Sequence, residues 1–166
     1  MHRPAQAIVI TGLVKHGQNA PVARPPEDRL ALDLDQRASP HFTAVTEAGR
    51  KVHVSLPRGT ELEDRDILTA ADGYAVAVIA AEEDLITIHP GEKALDWATL
   101  CYQLGNLHRP LRVAGEEILT PRDAQVEAFL TKLGASFQRE RRPFTGRKLG
   151  SVAGHHHTGH HHAGHP

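Results

Sequence analysis

A single cysteine, Cys101, rules out any intrachain disulfide and makes a reducing cytosol the expected compartment. Aromatic residues supply only 4% of the chain, with one tryptophan and one methionine, so any core must be built from Leu, Val, Ile and Ala and will be modest. No apolar run approaches the length of a membrane span. The N-terminal Ala7-Ile8-Val9-Ile10 run is short and is broken by Gly12 and Lys15, so it reads as a first strand rather than a signal peptide. An excess of positive charge is missing too: net charge is −1 with histidine neutral, which argues against a nucleic-acid footprint.

The parts of several enzymes are also missing. There is no Gly-x-x-x-x-Gly-Lys-Ser/Thr loop for nucleotide phosphates, no His-Glu-x-x-His helix and no Gly-x-Ser-x-Gly elbow. The carboxylate runs Glu61-Leu62-Glu63-Asp64 and Glu82-Glu83-Asp84 fall where turns are expected and read as solvated acidic surface.

What the chain has in excess is histidine, thirteen in all. Seven of them, His155, His156, His157, His160, His161, His162 and His165, fall within eleven residues, spaced by Thr158, Gly159, Ala163 and Gly164. No core can be built from that segment, which reads as a disordered tail able to wrap a divalent cation. A purification tag is usually one uninterrupted block, whereas this run is two triplets and a single histidine. Imidazole suits Ni²⁺, Zn²⁺ and Cu²⁺, and because the ligand must be neutral, binding should weaken as pH falls through about 6.5.

Along the chain, Ala7–Val14 reads as a strand, and Lys15–Asp28 as a loop. Arg29–Asp35 alternates with Leu30, Leu32 and Leu34 on one face, the period of a half-buried strand. Phe42–Thr46 and Val52–Leu56 flank Glu47-Ala48-Gly49 as a hairpin. His53 falls on the solvent side of that hairpin, and His16 and His41 fall in loops; His2 is terminal and His89 ends a strand. From Tyr74 the order becomes strand, helix, two strands, helix, strand. Thr120 and Pro121 read as the start of the second helix and Gly134 as its stop, with Val126, Phe129, Leu130 and Leu133 as its apolar stripe.

The expected fold class is therefore α+β. A small all-β domain over residues 1–73 precedes a ferredoxin-like βαββαβ domain over 74–145 and a His-rich tail over 146–166. Halves of about 70 residues are marginal alone, which favours pairing between chains.

The first helix carries the remaining candidate. Counting back from His108 in steps of three and four gives Leu104, Cys101, Ala98, Trp97 and Ala94, one helical stripe closed by an imidazole. Cys101 on this stripe reads as a small buried hydrophobe. His108 is either packed near a helix end or held by the fold to bind something. A loose tail discriminates poorly among metals, so selectivity needs a histidine fixed by a fold, and His108 is the best placed.

Trp97–Leu111, reading Trp-Ala-Thr-Leu-Cys-Tyr-Gln-Leu-Gly-Asn-Leu-His-Arg-Pro-Leu, resembles the signature helix of the UreE family of urease accessory proteins, typically Tyr-His-Leu-Gly-Asn-Arg-His-x-Pro-Leu. The resemblance extends to Leu56–Thr60, Asp66–Leu68, Pro143-Phe144 and the tail. It implies a non-enzymatic, cytoplasmic nickel metallochaperone. Its first domain would resemble a peptide-binding module and its second would form a homodimer, with Ni²⁺ between the two copies of His108. The metal would pass, with the accessory GTPase, to apo-urease. Tail histidines, and His89 less strongly, are candidate extra ligands. The motif's first histidine is Gln103 here and its arginine is Leu107. Arg122 and Ala124 stand where some members carry a further histidine pair, and Thr145–Lys148 replaces the usual segment after Pro-Phe. Two other readings are a general divalent-metal buffer acting through the tail, and an interaction module in which the histidines are incidental.

Overall fold

A computed structural model describes residues 7–18, 24–91 and 93–146. The tail histidines from His155 to His165, and His2, lie outside the described residues.

The N-terminal half is a six-stranded sheet of β1 (Ile8–Val14), β2 (Asp28–Leu32), β3 (His41–Val45), β4 (Lys51–Ser55), β5 (Ile67–Ala70) and β6 (Ala75–Ala80). Their order across the sheet is β2-β6-β5-β1-β4-β3, with β2/β6 and β1/β4 parallel and the other pairs antiparallel. Alternation decides which side is buried. In Lys51-Val52-His53-Val54 both valines are fully buried, while Lys51 and His53 are exposed, as the period of two requires. The hairpin forms as expected, with Gly49 at φ 80° closing the turn between β3 and β4. Asp66, fully buried, ties the segment after β1 to this sheet: it accepts from the Lys15 ammonium at 3.0 Å and from the His16 and Glu63 amides at 2.8 Å.

Three expectations about this half need correction. The strand expected through Asp35 ends at Leu32, because Asp33 and Gln36 form a reciprocal capping box that opens a single helical turn, α1 (Leu34–Arg37). The boundary expected at Gly73 falls inside the first sheet: β6 pairs in parallel with β2 and antiparallel with β5, so the change of sheet comes at Ala81. His41, expected in a loop, belongs to β3.

The second half contains β7 (Glu82–Ile88), α2 (Ala94–Asn106), β8 (Arg112–Ala114), β9 (Glu117–Pro121), α3 (Ala124–Leu133) and β10 (Phe137–Pro143). Its sheet is antiparallel throughout, in the order β10-β7-β9-β8. Ile86, Ile88 and Ile118 pack against Leu100 and Leu104 of α2 and Val126 and Leu130 of α3. The acidic run Glu82-Glu83-Asp84, expected as a turn, is the start of β7. It lies in register with Pro143, Arg142 and Arg141 of β10, and opposite charges across the strands offset the repulsion within the run. The second helix begins after Asp123 rather than Thr120; Thr120 and Pro121 are strand residues, and Leu133 is exposed. No helix among the described residues is long and apolar enough to cross a membrane.

The two halves meet where Leu34, Leu85, Leu119 and Phe144 cluster. The Arg37 guanidinium, 3% exposed, donates to the Phe144 carbonyl at 2.5 Å, and the Leu34 amide donates to the Glu83 carboxylate at 3.0 Å. Burial pushes the Glu83 carboxyl up, opposed by that amide and by Arg37. Architecture and composition agree on a two-part α+β chain with a β-sheet N-terminal half.

Candidate metal centre

Helix α2 buries Leu100 and Leu104, with Trp97, Cys101 and Leu107 packed partly against the same core. The buried line therefore runs through residues 97, 100 and 104, sharing Trp97 and Leu104 with the stripe that led to His108 but turned away from Ala98, which is exposed. Cys101 is half-buried and burial pushes its thiol up, so it stays protonated at neutral pH and is a poor ligand.

The helix ends by a left-handed turn. Leu107 is the C-cap, with its amide shared among the carbonyls of Gln103, Leu104 and Gly105, and the His108 amide donates to the Gly105 carbonyl at 2.9 Å. Gly105 and Asn106, which tolerate left-handed angles, are both inside the helix. The residue that takes the positive φ, 52°, is His108 itself. Such a conformation costs an L-residue with a side chain about 1–2 kcal/mol, and histidine is one of the few that adopts it with any frequency.

The residues after His108 hold that turn in place. Pro110 cannot continue a helix. Its carbonyl accepts from the buried Thr120 hydroxyl at 2.8 Å. Arg109 bridges to the start of α3 through Asp123 at 3.0 Å and Gln125 at 2.9 Å. The backbone on both sides of His108 is thus fixed, while its ring is exposed and bonded to no side chain among the described residues. It borders a groove of about 450 Å³ at the junction of the halves, lined also by Asp35, Glu83, Arg109, Arg122 and Asp123.

The field suits a cation. His108 stands beyond the negative end of α2, and no basic side chain occupies the helix's last turn. Yet among the described residues no group of three or more His, Cys, Asp or Glu side chains converges to hold a metal. His108 is a single preset donor in one chain. Arg122 pairs with Glu127 at 2.9 Å. His89 is exposed just after β7 and lines a different groove, beside Leu95, Leu100 and Leu133.

One face of α2 has no partner among the described residues. Leu95 is 74% exposed and Tyr102 68% exposed, and their spacing of seven puts them on one side of the helix with Ala98 and Thr99 between. An amphipathic helix does not ordinarily leave large apolar side chains in water on a second face.

Comparison with known proteins places this geometry. The family model described as UreE urease accessory protein, C-terminal domain, matches residues 83–166, and that described as UreE urease accessory protein, N-terminal domain, matches residues 10–81. The gap between them coincides with the change of sheet at Ala81. The chain is 37% identical over 136 residues, 82% of its length, to the urease accessory protein UreE of Burkholderia thailandensis, covering 62% of that protein. It is equally similar to those of Burkholderia mallei and Burkholderia pseudomallei, covering 66% of each. The chain thus spans a little under two thirds of the length of these relatives. With both halves matched by the family models and 37% identity to such proteins over 82% of its length, this chain belongs to the UreE urease accessory protein family.

Proposed function

We propose that the protein is a nickel metallochaperone for urease assembly. It binds Ni²⁺ at His108 and passes it, with the accessory GTPase, to apo-urease. The observation that carries this is His108 itself: an exposed imidazole bonded to no side chain among the described residues, held at a backbone angle that costs stability, at the negative end of a helix. Nothing in packing requires a histidine there.

One imidazole does not select an ion, and the missing donor comes from symmetry. Two copies of the chain joined about a two-fold axis along the apolar face of α2 present two His108 rings to one ion, while covering Leu95 and Tyr102. The second half follows the βαββαβ order with sheet order β10-β7-β9-β8, which supports the ferredoxin-like reading of the dimerising domain. The tail histidines complete the coordination shell or hold further ions more weakly. The N-terminal sheet serves as the partner-binding part. Zn²⁺ and Cu²⁺ suit the same donors and bind in their place when supplied alone.

Isothermal titration of the whole protein with Ni²⁺ tests this. A tight class of about one ion per two chains is expected, followed by weaker sites. His108→Ala removes the tight class, and deletion of residues 154–166 removes the weaker sites that the tail supplies. A tight class that survives His108→Ala overturns the site. A chain that still activates urease in cells after that substitution, but not after loss of the tail, favours a metal buffer instead.

A further inference from the structure

The N-terminal sheet carries a second pair of imidazoles, remote in sequence from His108. Strand β3 is a free edge of that sheet, and its register with β4 sets His41 opposite Ser55 and Thr43 opposite His53. Phe42, Val52 and Val54 take the inner face, so His41, Thr43 and His53 stand together on the outer one. His41 and His53 are diagonal neighbours across the strand pair, with backbones about 7–8 Å apart and side chains within mutual reach.

Both rings lean between the strands. Ser55 Oγ lies 3.3 Å from Nδ1 of His41, and Thr43 Oγ1 lies 3.2 Å from Nδ1 of His53. A hydroxyl that accepts Nδ1–H fixes the tautomer in which Nε2 carries the lone pair. This is the way outer-shell groups orient metal-ligating histidines. Two rings, each with Nδ1 set against a hydroxyl, on one face and at diagonal spacing, are more than a scattered pair of surface histidines.

We propose that His41 and His53 form a bis-imidazole site for a divalent cation of the Ni²⁺, Cu²⁺ or Zn²⁺ type, held through their two Nε2 atoms. Two neutral nitrogen donors exclude hard ions such as Mg²⁺ and Ca²⁺, which require oxygen ligands. The remaining positions on the ion go to water, so the site is labile and serves to hold metal in transit rather than to build the fold. It does not depend on His108.

Carbethoxylation of the full-length protein, read histidine by histidine from peptide masses, tests the pair with Ni²⁺ alone and with Cu²⁺ alone as probes. Metal is expected to slow modification of His41 and His53 together, several-fold, and Mg²⁺ to leave both unchanged. His53→Gln should abolish protection of His41, and His41→Gln that of His53, with protection of His108 retained. His108→Ala should leave the pair's protection intact, which separates this site from the one proposed above. The double variant Thr43→Val, Ser55→Ala keeps both imidazoles and should raise the metal concentration needed by roughly tenfold. Protection of His41 that persists in His53→Gln overturns the proposal, as does modification of both rings at the metal-free rate when His108 is fully protected.

Discussion

Helices α2 and α3 lie on the same face of the second sheet and share one core, yet their ends are finished differently. In α3 the Asp123 carboxylate caps the start, accepting from the amides of Gln125 at 2.8 Å and Val126 at 3.2 Å, and Gly134 at φ 70° supplies the left-handed stop. Glu127 sits in the first turn and Lys132 in the last, each where the helix dipole favours it. In α2 the N-cap is Lys93, whose side chain makes no capping bond and whose charge faces the positive end of the dipole. Its last turn has no basic residue, and its left-handed position is taken by His108. Every local rule is met in the helix that only builds the fold and several are broken in the helix that ends at His108, the proposed metal ligand. That is where a chain is expected to give up stability for function.

Substitutions at the caps can break this comparison most directly. Asp123→Ala should cost about 1–2 kcal/mol in urea unfolding, because it exposes two first-turn amides and releases Arg109. Lys93→Ala should cost nothing measurable, and Lys93→Asp should stabilise by about 1 kcal/mol through a new cap. Equal costs for the two alanine variants would show that the helices are not finished differently.

The other end of α2 gives a smaller effect of opposite sign. His108→Gly should stabilise the apoprotein by about 0.5–1 kcal/mol, since glycine takes the left-handed angle without strain but gains freedom in the unfolded chain. The same variant should lose the tight Ni²⁺ class, so the urea midpoint rises without metal and no longer shifts with low concentrations of it. A destabilised His108→Gly would mean that the imidazole is there for packing.

The difference between the helices also marks how far the sequence could be read. The β3–β4 hairpin was legible because Val52 and Val54 alternate with polar residues around Gly49, and Gly134 was legible as a stop. Both are local signals. At the end of α2 the local signal points one way and packing another: Gly105 and Asn106 tolerate the left-handed turn best, but Leu104 and Leu107 both reach the core, and helix geometry must continue far enough to bring them there. At the start of α3 two capping signals competed, and Thr120 lost to Asp123 because its hydroxyl is committed to Pro110. The boundary at Ala81 was not legible because the parallel pairing of β6 with β2 is a long-range event with no local mark. The acidic start of β7 looked like a turn because its compensating arginines lie far along the chain, on β10. His108 could be singled out from the motif it closes, but its strain could not, and neither could the pairing of His41 with His53, which exists only once the register is known.

The smallest of these differences is electrostatic and shows in acid. Hydrogen bonds and charges from Arg139 and Arg122 hold the Glu127 carboxyl below the usual glutamate range. A carboxylate lowered on folding binds its proton more readily in the unfolded chain. Its contribution to stability is therefore fully present above the ordinary glutamate pKa and is lost as pH falls through the folded value. Comparing Glu127→Gln with the parent chain by thermal melting should give a difference near neutrality that shrinks steadily below about pH 4.5, as glutamates begin to protonate. Arg139→Gln removes one of the two arginines that face Glu127 and should give a difference from the parent chain that shrinks over the same range. A difference for Glu127→Gln that does not change with pH would show that the first turn of α3 owes nothing to its arginines, and the contrast between the helices would then rest on their caps alone.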